Sequence, residues 1–209
     1  MTQVGAIRRM LCVAAAVGLA AAAGCSMPTR ACGRFFTDVA VVVLSPVNLP
    51  IGAVVDSLRD SSGGGLAALP AFPLVLTANV IKHAYATAVY GGDLLLTPVH
   101  LVINSRPMRL YDMSGIPFRV RRGKLSRGAD RATYSAHEIF ARSFGLVGDV
   151  GEAAVDAADR ANSLYGIVLA VSYRTTIRLV RNTAIIGLYT LDYAVSPIYM
   201  PFGPGRLKL

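Results

Sequence analysis

The stretch Glu152–Val195, EAAVDAADRANSLYGIVLAVSYRTTIRLVRNTAIIGLYTLDYAV, decides the fold class. It holds no proline, and Gly166 and Gly187 are its weak points as a helix. Glu152, Asp156 and Asp159 fall at i, i+4 and i+7, which puts them on one helical face. Acids in first turns also suit the helix dipole. Arg174, Arg178 and Arg181 repeat that spacing. At about 100° per residue the two stripes lie roughly 40° apart, so a single long amphipathic helix would be acidic at one end and basic at the other. A competing pattern is present: Val171, Tyr173, Thr175, Ile177 and Leu179 alternate with polar neighbours, as in a half-exposed strand. Length and the acids at the start favour helix, and the class expected is mainly α.

Upstream, residues 130–144 read as an amphipathic helix, followed by a glycine-rich break from Gly145 to Gly151. From Ser105 to Arg131 the chain is broken by Pro107, Gly115, Pro117 and Gly123. It is also strongly basic, and we expect a small irregular loop or hairpin there. Within it Arg119, Arg121, Arg122 and Lys124 form the candidate patch for anionic lipid headgroups. Arg174, Arg178 and Arg181 form a weaker second candidate.

Farther upstream are apolar segments broken by proline. Asp38–Val55 carries Pro46 and Pro50, which remove backbone donors and predict a short segment, a turn and then a helix. Ser61–Gly65 is a loop. The run beyond Pro73 to Tyr90 predicts a buried helix ended by Gly91 and Gly92. Three segments share a phrase: Ser45-Pro46-Val47-Asn48-Leu49, Thr97-Pro98-Val99-His100-Leu101 and Ser196-Pro197-Ile198-Tyr199-Met200. In the last two an aspartate, Asp93 or Asp192, stands four residues before the hydroxyl. The residue before proline is driven out of helical conformation, so each phrase should end a helix. The hydroxyl can satisfy a backbone group freed there. The phrase fits either a duplication or a shared solution for one kind of turn.

The first 25 residues carry a location. Arg8 and Arg9 precede Met10–Ala23, an uncharged run too short for a spanning helix of about 20 residues. The run ends in Ala22-Ala23-Gly24-Cys25, which resembles the bacterial lipobox, although Ala22 stands where Leu is usual. That resemblance implies cleavage before Cys25 and acylation of its thiol, with residues 1–24 removed. Multiple acyl chains hold a protein stably on a membrane. Ser26 follows the cysteine in place of Asp, which by the same resemblance favours the periplasmic face of the outer membrane over the inner membrane. Residues 25–37 would be a lipidated tether and 38–209 one helical, membrane-associated domain. Cys12 leaves with the leader and Cys25 takes the lipid, so Cys32 is expected to be a free thiol.

Composition agrees with a membrane surface. Charged residues are 16% of the chain against about 25% in typical globular proteins. Mean hydropathy is +0.50, while the formal charge is +9, or +7 without Arg8 and Arg9. Nucleic acid is a poor partner, for no aromatic-and-basic reading platform is present. The phrases VNLPIGAVVDSL and DLLLTPVHL resemble those of the small YceK/YidQ-type lipoproteins, over two short pieces with different order and spacing. That resemblance implies an envelope lipoprotein and no particular chemistry.

No enzyme constellation emerges. His137-Glu138 lacks the second histidine of a zinc helix, and no Gly-x-Ser-x-Gly turn occurs. His83 and His100 lie in apolar runs where a hydrogen-bonded structural role is expected. Asp93 and Asp192 are read as helix caps. The function expected is a non-enzymatic, lipid-anchored envelope protein with a structural, interaction or lipid-handling role, with no cofactor or metal. Its partners would be membrane lipid and an envelope protein. The alternative is a lipid-tethered periplasmic hydrolase or ligand-binding domain, with a pocket at His100, His137 or Asp93.

Overall fold

The computed structural model describes residues 29–160 and 164–209, and its chain is predominantly α-helical. Helix α1 (Thr29–Ser61) is followed by a 3₁₀ turn (Gly65–Ala67), α2 (Ala68–Leu95) and the short α3 (Thr97–Ile103). A two-stranded antiparallel ribbon comes next, β1 (Tyr111–Asp112) with β2 (Arg119–Val120), and Tyr111 faces Val120. Then come α4 (Lys124–Arg160), α5 (Leu164–Ala194), α6 (Ser196–Tyr199) and a closing 3₁₀ turn (Met200–Phe202). The leader and Cys25 lie outside the described residues.

The prolines behave differently from expectation in α1, which runs through Pro46 and Pro50 without a turn. Pro46 cannot donate to the carbonyl of Val42, one helical turn back. The Ser45 hydroxyl donates to that carbonyl instead, at 2.7 Å. The same device recurs at the second phrase, where Thr97 Oγ1 donates to Leu94 O at 2.6 Å. There the helix does stop, as it does before Ser196. The hydroxyl thus serves a continuous helix as well as a terminated one. Gly91 and Gly92 do not end α2, which continues to Leu95. Each costs about 1 kcal/mol relative to alanine in a helix. Asp93, just beyond them, is tied down by a tertiary ion pair that offsets this cost.

The single helix expected from Glu152 to Val195 is two helices. Polar pairs join Asp149 to Asn182, Glu152 to Arg178 at 3.3 Å and Asp156 to Arg174 at 3.7 Å. As one residue number rises the other falls, so α4 and α5 are antiparallel. The acidic and basic stripes face each other across a hairpin instead of following one another along a rod. Helix α4 also passes through Gly145, Gly148 and Gly151, where a break was expected.

The chain forms two compact units. Unit 1 takes residues up to Ala53 and Val80–Arg121; unit 2 takes Val54–Asn79 and Arg122–Leu209. At the centre of unit 1 the buried rings of Tyr90 and Tyr111 stack with centroids 5.8 Å apart, and His83 stacks on Tyr111 at the same separation. In unit 2 Tyr134 meets Tyr189 edge-on. Asn79 donates to Ser57 Oγ and Asp60 Oδ2, and the Tyr193 hydroxyl donates to Leu74 O at 2.6 Å. Gly128 has no room for a side chain, because a Cβ there would collide with the backbone of Met200.

Burial is partly inverted. Asp38, Asn48, Asn79, Lys82, His83, Asp93 and Asp192 are buried, along with many alanines. Leu58, Leu66, Leu69, Leu95, Val102 and Ile103 are exposed. Small side chains let helices approach closely, but they bury little apolar area.

Candidate functional site

Each unit is closed by the same clasp. In unit 1 the Arg34 guanidinium grips Asp93 with two parallel bonds, Nε to Oδ2 at 2.6 Å and Nη2 to Oδ1 at 2.5 Å. Its remaining nitrogen, Nη1, donates to the carbonyl of Arg106 at 2.8 Å. In unit 2 Arg131 grips Asp192 through Nε at 2.9 Å and through Nη2, and its Nη1 donates to Gly205 O at 3.2 Å. Fork-to-fork pairing of this kind is short and directional. In both, the arginine comes from the first turns of a long helix and the aspartate from the last turn of the next. The carbonyl lies in the strap of chain that follows.

The correspondence extends to the tyrosine one turn before each aspartate. The Tyr90 hydroxyl donates to Met108 O at 3.3 Å and accepts from Leu110 N–H at 3.0 Å. The Tyr189 hydroxyl donates to Leu207 O at 3.4 Å and accepts from Leu209 N–H at 3.3 Å. Tyrosine, aspartate, the Ser/Thr-Pro pair and the strap residues all recur in one register. The chain therefore contains two copies of one construction, a helical pair whose returning strap is held by an Arg–Asp clasp and a tyrosine.

The copies differ in their chemistry around the carboxylate. Four residues after each arginine stands Asp38 or Ser135. Ser135 Oγ donates to Asp192 Oδ2 at 2.6 Å. Asp38 is buried and, among the described residues, no donor is aimed at its carboxyl. Burial, then its closeness to the Asp93 carboxylate, pushes its pKa up to about 7. Asp93 itself is held below the ordinary carboxylate range, chiefly by its hydrogen bonds to Arg34. Its role as a simple cap, as read from sequence, gives way to a clasp. His100 Nε2 lies 3.0 Å from Asp93 Oδ1, while in unit 2 the Tyr199 hydroxyl donates to Asp192 Oδ2 at 3.3 Å. A carboxylate whose neighbours change from Asp and His to Ser and Tyr while its arginine stays is behaving as a structural anchor.

His83 and His100 belong to unit 1 and His137 to unit 2. His83 is buried, with Nδ1 3.2 Å from the Tyr111 hydroxyl, as expected of a structural histidine. His137 belongs to unit 2 and lies against Gly64, where a Cβ would meet its ring. His100 is part of the unit 1 clasp. Among the described residues no group of His, Cys, Asp and Glu is placed to hold a metal ion.

The candidate lipid-binding cations divide into two sorts. Arg119 and Arg121 close unit 1, Arg122 and Lys124 open unit 2, and all four are exposed with no ion pair among the described residues. Arg174 and Arg178 are paired with Asp156 and Glu152, so their charge is largely spent within the hairpin. Arg181 is exposed and outside those pairs. Cys32 is disulfide-bonded, which corrects the expectation of a free thiol. The chain's other cysteines, Cys12 and Cys25, lie outside the described residues.

Sequence reasoning missed Arg34 and Arg131 as the partners of the two aspartates. The signal was available in a longer repeat: Tyr90-Gly-Gly-Asp93 and Tyr189-Thr-Leu-Asp192 each precede a Ser/Thr-Pro pair by the same spacing. No family model, curated protein or solved structure matches the chain. The likeness to YceK/YidQ-type lipoproteins rests on its two short phrases alone.

Proposed function

We propose that this is a non-enzymatic, lipid-anchored protein of the bacterial cell envelope, lying on the membrane surface through the apolar outer faces of its first two long helices. The reading is supported chiefly by the inverted burial. Arg30–Ser61 and Gly65–Leu95 are each long and apolar enough to cross a membrane, yet only 28% and 33% of their most apolar windows are buried. The core helix of a soluble protein is mostly buried. Large exposed apolar faces mark contact with lipid or another protein. Acylation of Cys25, which the lipobox-like run implies, would bring lipid close to α1, and Arg119, Arg121, Arg122 and Lys124 offer charge to anionic headgroups. Envelope organisation or lipid handling at the periplasmic face of the outer membrane follows as the role.

The test is membrane partitioning of a Cys25→Ala variant exported by a non-lipoprotein signal. Sedimentation with membranes that resists a high-salt wash is the expected result. A soluble, monomeric periplasmic protein would sink the surface-embedding idea and favour the tethered hydrolase or ligand-binding domain. Charge reversal across residues 119–124 should weaken binding to anionic vesicles.

The oxidised state of Cys32 favours a second reading of the leader, an ordinary secretory signal without acylation. Disulfides persist in the same oxidising compartment. However, a Cys25 sulfur held in a thioether cannot also pair with Cys32. Intact-mass measurement of the mature protein separates the two, by finding either acyl chains or an unmodified, oxidised pair.

A further inference from the structure

Unit 1 contains an open cavity of about 650 Å³ lined by Arg30, Arg106, Pro107 and Arg109. We propose that this cavity is a binding site for a phosphate group. Three arginines line it and, among the described residues, no acidic residue does. Arginine stays charged at any physiological pH, and its planar fork matches phosphate oxygens in pairs. A cavity lined by one sign of charge also focuses field lines and concentrates counter-ions.

The clasp fixes the lining. Arg106 gives only its backbone carbonyl to Arg34, which pins the strap while the Arg106 side chain remains exposed. Asn104, in a left-handed conformation with φ 48°, accepts the Ala31 N–H at 3.3 Å through its side chain. That bond ties the start of the strap to the helix end bearing Arg30. The backbone beside Arg30 and at Arg106 is therefore held by bonds in which neither charged end takes part.

The second copy repeats the charge pattern. Arg127 precedes Arg131 by the spacing that separates Arg30 from Arg34, and Lys208 follows Asp192 by the spacing that separates Arg109 from Asp93. Arg106 corresponds to Gly205, and Pro107 to Arg206, whose guanidinium lies over the Tyr134 ring at 5.4 Å. The cations at two of three positions recur although the clasp does not use them.

The phosphate could belong to a lipid headgroup or to a soluble phosphate compound. The site does not require membrane placement, and full-length protein in neutral detergent tests it by titration calorimetry. The probes are inorganic pyrophosphate and dihexanoyl phosphatidic acid, with dihexanoyl phosphatidylcholine as the reference lipid. The R106Q/R109Q variant should bind about ten-fold or more weakly, as expected for the loss of two charge-assisted contacts. R59Q, which removes an exposed charge at the far end of α1, should change affinity by less than about two-fold, as a distant screened charge would. Saturable pyrophosphate binding with this pattern supports the site and assigns it to soluble phosphates. The same pattern for phosphatidic acid alone supports it and assigns it to headgroups. Equal weakening by R59Q, or no binding of either probe, overturns it.

Discussion

Replacing Asp38 with serine should abolish a pH dependence that the wild-type protein carries through unit 1. Asp38 is buried beside Asp93, and its pKa rises from the ordinary 3.8 to about 7. Between those values the folded protein keeps a proton that the unfolded chain has released. Stability is therefore full below about pH 4, falls steadily as pH rises from there towards 7, and levels off above it. A tenfold change in proton affinity is worth about 1.4 kcal/mol, so the fall approaches about 4 kcal/mol at most. Asp93 acts oppositely: its lowered pKa contributes stability that is lost as pH drops below about 4. Maximum stability is thus expected near about pH 4. Unit 2 supplies the control, because Ser135 already occupies the matching position and donates to Asp192 at 2.6 Å. Asp38→Ser should flatten the profile between pH 5 and 7 and raise stability at pH 8 by roughly 1 to 3 kcal/mol, the cost of an unpartnered buried polar group. Urea unfolding of detergent-solubilised protein, followed by circular dichroism across this range, reads both effects. A variant that keeps the wild-type slope would refute the reasoning.

The clasps themselves should be costly to open. Arg34→Ala or Arg131→Ala leaves a buried carboxylate uncompensated and should cost about 3 to 5 kcal/mol, while Arg131→Lys, losing the fork, should cost less; both are measured by urea midpoint. Tyr90→Phe and Tyr189→Phe each remove a hydroxyl that bonds the strap, and should cost about 1 to 2 kcal/mol by the same measurement, with Tyr90 the larger because it also accepts from Tyr111 N–H. Gly128→Ala drives a methyl into the Met200 backbone and should lower the thermal midpoint by an amount equivalent to about 1 to 3 kcal/mol. An unchanged midpoint in that variant would mean the closing strap is not held against α4.

Much of the helical architecture was legible because apolar runs and acid spacing are local signals. The Ser/Thr-Pro phrases were legible for the same reason, and the hydroxyl's service to a freed carbonyl is seen at Ser45 and Thr97. Helix boundaries were not. Pro46 sits within α1 because Ser45 repairs the missing bond, and nothing in the local sequence distinguishes that from a turn. The hairpin of α4 and α5 was misread because a stripe of acids followed by a stripe of bases looks alike along one helix and across two. Pairing between Glu152 and Arg178 is a tertiary fact. Asp93 and Asp192 were noticed for their spacing, whereas Arg34 and Arg131 lie about sixty residues upstream and become visible only when the halves are compared.

The placement of the first clasp bears on the order in which the chain can fold. Unit 1 draws on no residue beyond Arg121. Arg34, Asp93 and the Arg106 carbonyl are all present before Arg131 has left the ribosome. The two clasps close loops of nearly equal length, separations of 59 and 61 residues, so the entropic cost of closure is nearly the same for each. A chain that emerges from its N-terminus can lock its first strap while the second is still unmade, and this sequence of events spares the early apolar helices a long wait with their ends open.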